Sequence, residues 1–329
     1  MPSGRDRPLI LSRRLALPAT RLLGVVAVLM MALPLVAGGS NRPEDRPTDP
    51  PAVSHVATYT WRMDDPDFGG FSGIEITRDG QHFHAVSDRG TIRWGTIERD
   101  EQGRITRMGA EGWTRLRDAT GKPLPKGRPA DAEGIAIAPD GTIWISFEGV
   151  ARVVRYDTPE SPARPLPRPD AFARMQVNSS LEALAIDDQG TIYTLPERSG
   201  ALRRPFPVWR WRDGEWDQPF AIPRSGNWLA VGADFGPDGR FYLLERDFMG
   251  LLGFLSRVRR FDLTENGAEN ETILLQTRPL QYDNLEGISV WDDGQGIRIT
   301  MISDDNFHFL QRTQIVEYRV AEQGAVRQP

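Results

Sequence analysis

The sequence predicts an all-β fold, a β-propeller of five four-stranded antiparallel blades, with six as the alternative. Three observations carry this. A hairpin signature recurs five times, and further strand-like segments follow most copies. The composition, 26 Pro and 32 Gly in 329 residues, suits a turn-rich β chain better than a helical one. Beyond the N-terminal segment no 3.6-residue periodicity is evident.

Residues 1–39 stand apart. Arg5, Arg7, Arg13, Arg14 and Arg21 precede an apolar run, Leu22 to Ala37, which ends in small residues. This is the layout of a secretory signal peptide, with cleavage expected before Ser40. The run is shorter than the roughly 20 residues of a membrane span, so an uncleaved anchor is the alternative. Arg13-Arg14 hints at twin-arginine export. Residues 40–53 are polar and Pro-rich and read as a linker. The propeller is expected over 54–322, with a short tail over 323–329.

The whole chain carries 40 basic and 45 acidic side chains. Loss of residues 1–39 makes the balance more acidic still, because that segment holds five Arg and one Asp. Non-specific nucleic-acid binding needs a basic surface and is excluded. There is no Cys, hence no disulfide, thiolate metal site or Cys nucleophile. Export without Cys fits a bacterial periplasm or exterior. A monomer without stable membrane insertion after cleavage is expected.

The five copies are "SGIEITRDG" (72–80), "EGIAIAPDG" (133–141), "EALAIDDQG" (182–190), "VGADFGPDG" (231–239) and "EGISVWDDG" (286–294). Each pairs a short strand with a second one across a Gly turn, a strong hairpin signal. The anchor glycines lie 61, 49, 49 and 55 residues apart, which is propeller spacing. The long first interval is what leaves room for a sixth blade. The last unit keeps one further strand, "TQIVEYRV" (313–320). "SHVATYTWRM" (54–63) is expected to supply its outer strand, joining both chain ends in one blade and removing exposed edges.

Acidic residues recur at the strand ends opposite the turns. Glu133, Glu182 and Glu286 enter the first strand, where units one and four hold Ser72 and Val231. Asp88, Glu148, Glu197, Glu245 and Asp304 leave the second. Glu133 and Glu148, Glu182 and Glu197, and Glu286 and Asp304 are symmetric about their turns and are expected to face each other. In a propeller these ends form one rim, placing up to eight carboxylates around the channel. Such crowding calls for a bound cation or for protonated carboxyls. With four His and no Cys, a hard divalent cation is expected rather than zinc: calcium first, magnesium or manganese otherwise. Asp131, Asn284 and Asn306 are near enough to add oxygens. Arg89, Arg198 and Arg246 directly follow three exit acids and are expected to grip an anionic group. Glu75 and Asp234 sit deeper, with opposite strand parity, and are left outside the ring. His308 follows the last exit acids and is a weaker rim candidate. No G-x-S-x-G elbow and no Gly-rich phosphate loop is present.

The segments "EGIAIAPDG", "LEALAIDDQG", "SDRG", "LERDF", "NLEGIS" and "SDDNF" together resemble the family called "esterase-like activity of phytase", over roughly residues 55–320. The resemblance implies a β-propeller, export from bacteria and activity borne by repeated Glu and Asp. Its implied functional positions here are Asp88, Glu133, Glu148, Glu182, Glu197, Glu245, Glu286 and Asp304. The expected function is an exported, metal-dependent hydrolase of small anionic esters, phosphoesters first. Asp88, Glu133, Glu182, Glu245, Glu286 and Asp304 would hold the cation, Glu148 or Glu197 would act as base, and the three arginines would hold substrate. A lactonase or carboxylesterase on the same site, or a non-catalytic module with a structural ion, are the alternatives.

Overall fold

A computed structural model describes residues 51–307 and 311–321. The expected signal peptide, most of the linker, the tail and His308 lie outside these residues. Twenty strands form five four-stranded sheets. The first blade runs β2 (Phe71–Ile76), β3 (His82–Ser87), β4 (Thr91–Arg99), β5 (Ile105–Arg115), and the second β6 (Ala132–Ile137), β7 (Ile143–Phe147), β8 (Arg152–Tyr156), β9 (Arg164–Pro165). The third is β10 (Leu181–Ile186), β11 (Ile192–Pro196), β12 (Phe206–Arg212), β13 (Glu215–Ile222). The fourth is β14 (Leu229–Phe235), β15 (Phe241–Phe248), β16 (Phe254–Thr264), β17 (Gly267–Gln276). The fifth joins β18 (Asn284–Asp292), β19 (Ile297–Asp304), β20 (Gln314–Ala321) and, at its outer edge, β1 (Ala52–Thr60). The architecture is a five-bladed propeller closed by the N-terminal strand, which pairs antiparallel with β20 from Ala52↔Ala321 to Thr60↔Gln314. The long first repeat hides no sixth blade. Its extra residues lie in the long β4 and β5 and in a loop pinned by the Arg117↔Pro123 bridge.

Alternation along each strand gives both faces of a blade apolar residues, so each blade packs on two neighbours. Five apolar clusters result, one per blade interface. Ile135 and Ile145 pack with Val86 and Ile92 between the first two blades. Phe83 and Ile74 pack with Ile302 and Ile315 where the fifth meets the first. A layer of small residues lets the inner strands approach. A Cβ on Gly134 would lie 2.6 Å from the Glu182 carbonyl oxygen, and one on Gly287 would lie 2.8 Å from Gly73 Cα. No side chain fits there, which accounts for the Glu-Gly pairs of the repeat.

Each inner strand also carries a β-bulge near its start, at Phe71/Gly73, Ala132/Ile135, Leu181/Ala183, Ala230/Gly232 and Leu285/Gly287. The residues dropped from the ladder include Ser72, Glu133, Glu182, Val231 and Glu286, the entry positions of the repeat. A bulge re-aims a side chain, and here it does so at the same place in all five blades.

Candidate functional site

The bulges change the expected facing of acids. Symmetric pairing would put Glu133 opposite Glu148, Glu182 opposite Glu197 and Glu286 opposite Asp304. The extra residue shifts the register, so Glu148 N–H donates to Asp131 O, Glu197 N–H donates to Ser180 O, and Asp304 pairs with Asn284. The entry glutamates are displaced from the ladder toward the axis instead.

In the first blade the equivalent exit residue is Asp88, whose N–H donates to Gly70 O. In the fourth it is Arg246, opposite Leu229, and not Glu245, which pairs with Ala230. Glu245, expected among the metal ligands, therefore points to the other face of its blade. There it is fully buried and accepts from Arg257 Nε at 2.7 Å and from Arg259 Nε and Nη2 at 2.8 and 2.7 Å. It holds the fourth blade together and takes no part in the ring.

The structure gathers the other predicted acids around one cavity of about 330 Å³. Its lining holds Asp88, Glu133, Glu148, Glu182, Glu197, Glu286 and Asp304, with Asp131, Ser72 and Asn178. Arg246 is the single basic residue of the lining. Asp131 thus takes the eighth carboxyl place that Glu245 leaves. Asn178 holds a left-handed backbone, φ 62°, in the loop before β10. No sequence motif marks it, although Asn tolerates that conformation better than most residues.

Arg246 bridges three blades. Its Nη2 donates to Glu197 Oε1 at 2.9 Å, and its Nη1 donates to Asn284 Oδ1 at 2.9 Å and to Glu286 Oε1. Asn284 in turn donates to Glu286 Oε1 at 2.7 Å. Glu197 Oε2 accepts from Arg198 Nε at 3.2 Å. Arg198 and Arg89 stay exposed at the rim, Arg89 with its guanidinium stacked on Phe307. Neither lines the cavity. Asn306 is exposed and also outside it.

Burial and mutual repulsion raise most of the ring's pKa values. Asp88 is pushed to about 6 by burial and then by Asp131. Burial brings Glu148 to about 7, against a hydrogen bond with Glu182 that pulls it down. Asp304 reaches about 8 through burial and the neighbouring Glu286. Glu133 and Glu182 are pushed well above the usual carboxyl range, Glu133 by burial and then by Glu286, Glu148, Asp131 and Asp88. Burial opposes the charge on Arg246, but Glu286, Glu182 and Glu197 more than offset it. Glu133 is 9% exposed and makes no side-chain hydrogen bond or ion pair.

Two trios of carboxyls can each converge on one ion: Asp131–Glu133–Glu148 and Glu148–Glu182–Glu197. Within each, one ligand oxygen per residue lies within 4.8 Å of the others. The donors are all oxygens, the set a hard cation prefers. Glu133 and Glu182, both buried and bonded to no arginine, are the groups that such ions would satisfy.

Glu75 and Asp234 line a larger cavity, about 590 Å³, on the turn side of the molecule. Ser289 Oγ donates to Glu75 at 3.1 Å, and the backbone N–H groups of Val290 and Phe235 donate to Asp234. Both pKa values are raised by burial, that of Asp234 to about 7. These two acids are outside the ring, as their strand parity requires.

Comparison with known proteins gives a family and a fold. The model of a phytase-like family, described as esterase-like activity of phytase, matches residues 66–307. No curated protein matches the chain. Among solved structures, an α-L-arabinofuranosidase from Podospora anserina is similar at 12% identity and TM-score 0.52, covering 83% of this chain and 98% of its own. A virginiamycin B lyase from Staphylococcus aureus is similar at 16% identity and TM-score 0.40, covering 81% and 75%. An aldose sugar dehydrogenase from Streptomyces coelicolor is similar at 14% identity and TM-score 0.41, covering 83% and 100%.

Proposed function

We propose that this chain, which belongs to the phytase-like family, is an exported ester hydrolase that depends on a hard divalent cation in its carboxyl ring. The single observation that carries the reading is Glu133: a buried carboxyl without a partner, in a cavity lined by seven other carboxyls. Burying such a group unpaired is unfavourable unless it is protonated or a cation binds. Calcium fits the oxygen-only donor set, and magnesium or manganese would satisfy the same charge.

When bound, the cation supplies a Lewis acid for an ester oxygen and offsets the charge that would otherwise repel an anionic substrate. The chain supplies the rest. Glu148 belongs to both trios, so it serves as a ligand rather than as the base. Glu197 has each oxygen held by an arginine and is a poor base as well. Asp88 fits that role better. It lines the cavity, and a pKa of about 6 leaves it ionised but basic near neutrality. It takes the proton of an attacking water. Arg89 and Arg198, exposed at the rim, orient the anionic group of a phosphoester.

A second reading, a lactone or other neutral carboxyl ester, is favoured by one observation: Arg246, the single basic residue of the cavity lining, already pairs with Glu197 and Glu286, so its charge is spent on the ring rather than left for a phosphate. The test is hydrolysis of a p-nitrophenyl phosphate, a p-nitrophenyl acetate and a γ-lactone by EDTA-stripped protein, before and after adding Ca²⁺, Mg²⁺ or Mn²⁺. Cation-restored turnover of the phosphate supports the first reading, and of the acetate or lactone alone the second. No turnover of any ester under any condition refutes both.

A further inference from the structure

We propose that the ring takes one divalent cation, on the side of Asp131, Glu133 and Glu148, and that Arg246 permanently fills the place of a second. This rests on the cation reading above and specifies it. The two ion-compatible trios share Glu148, so their difference decides where an ion goes. In the second trio Glu197 is already paired with two arginines, Oε1 on Arg246 and Oε2 on Arg198. Beyond it, Glu286 is held by the same guanidinium and by Asn284. A guanidinium stays protonated at any working pH and cannot yield its place by losing a proton.

The first trio has no such occupant. Glu133 is nine-tenths buried, faces the cavity and has no hydrogen-bond or ion-pair partner. Its electrostatic neighbours, Glu286, Glu148, Asp131 and Asp88, are all acids. An ion bound there meets three carboxyls to which no arginine is bonded, Arg128 acting on Asp131 only from a distance. An ion at the second trio would meet Arg246 at close range, with like charges repelling.

The register explains how the asymmetry arises. Four blades place a carboxylate at the exit position of the second strand, and the fourth blade places Arg246 there. One cationic side chain at an exit position that is otherwise acidic gives the ring a filled half and an open half.

The experiment is calorimetric titration of the EDTA-stripped full chain with Ca²⁺ at pH 7.5, reading ions bound per chain. One ion is expected for the unmodified protein. Glu133→Gln should weaken it more than about tenfold, while Glu182→Gln should leave it within about threefold. Arg246→Gln should add a second ion. Two ions in the unmodified protein, or no gain in folded Arg246→Gln, would overturn the inference while leaving a cation site in place. If Arg246→Gln does not fold, the other pair decides: equal losses in Glu133→Gln and Glu182→Gln overturn it. No binding at all removes the underlying cation reading along with it.

Discussion

Raising the pH of the EDTA-stripped protein from 6.5 to 8 should lower its stability, opposite to the usual effect of a paired carboxylate. The ring's acids have folded-state pKa values above their unfolded ones, so their contribution is complete below about pH 4 and is lost as pH rises through the folded values. Asp304 titrates near 8 and Glu148 near 7, and Glu133 and Glu182 lie well above the ordinary range. His84 works the other way. Burial lowers its pKa to about 4, so its contribution is lost as pH falls below 6.5, and the chosen window avoids it. Each proton retained only by the folded state costs about 1.4 kcal/mol per pH unit. With roughly two such protons over 1.5 units the loss is about 4 kcal/mol. For a domain of this size that is a fall of about 8 °C in melting midpoint. Saturating Ca²⁺ binds the ionised ring and should cancel the ring's part of the fall, leaving that of Glu75 and Asp234, which are raised in the other cavity, so its stabilising effect grows with pH. Differential scanning fluorimetry at pH 6.5, 7, 7.5 and 8, with EDTA and with Ca²⁺, measures both. A midpoint that is flat or rises in EDTA across this window would refute the reasoning.

Three substitutions extend the same logic. Glu133→Gln should stabilise the stripped protein at pH 8 by about 1–2 kcal/mol, because it removes a buried acid that either holds a proton against the pH or carries an unpaired charge, while shifting the Ca²⁺-induced rise to higher ion concentration; chemical denaturation with and without the ion checks this. Glu245→Gln should destabilise by about 3–5 kcal/mol, since it leaves buried Arg257 without a carboxylate and Arg259 with only the half-exposed Glu271; urea midpoints read the loss, and Ca²⁺ stoichiometry should not change. Gly287→Ala should cost at least about 2 kcal/mol, because its Cβ would meet Gly73 Cα at 2.8 Å and Ile302 Cγ2 at 2.7 Å where the fifth blade joins the first; melting curves test it.

The fold was legible because its signals are local and repeated. A Gly turn between alternating apolar strands marks each inner hairpin, and the missing fourth strand of the last unit points to the N-terminal segment that pairs with β20. The site was legible as a set of acids at strand ends, but its register was not. One-residue bulges shift pairing after the entry position, and no residue type announces a bulge as a turn glycine announces a hairpin. Acid-to-acid matching then chose Glu245 for the ring. The better signal was spacing: Arg246 stands as far from Gly239 as Glu148 does from Gly141 and Glu197 from Gly190. Treating the position rather than the charge as the repeat would have found it. Asp131 enters the ring as the backbone partner of Glu148, a role set by that same bulge. Asn178 enters from a loop outside the repeat.

Cation-dependent hydrolysis is tested most directly by one paired titration. The initial rate on whichever ester is turned over, and the melting midpoint at pH 7.5, are measured against the same series of free Ca²⁺ concentrations. The ring predicts that both rise together with a common half-saturation, and that Glu133→Gln displaces both curves to higher Ca²⁺. Turnover at full rate in EDTA, or a rate that follows Ca²⁺ while the midpoint stays fixed, would contradict it.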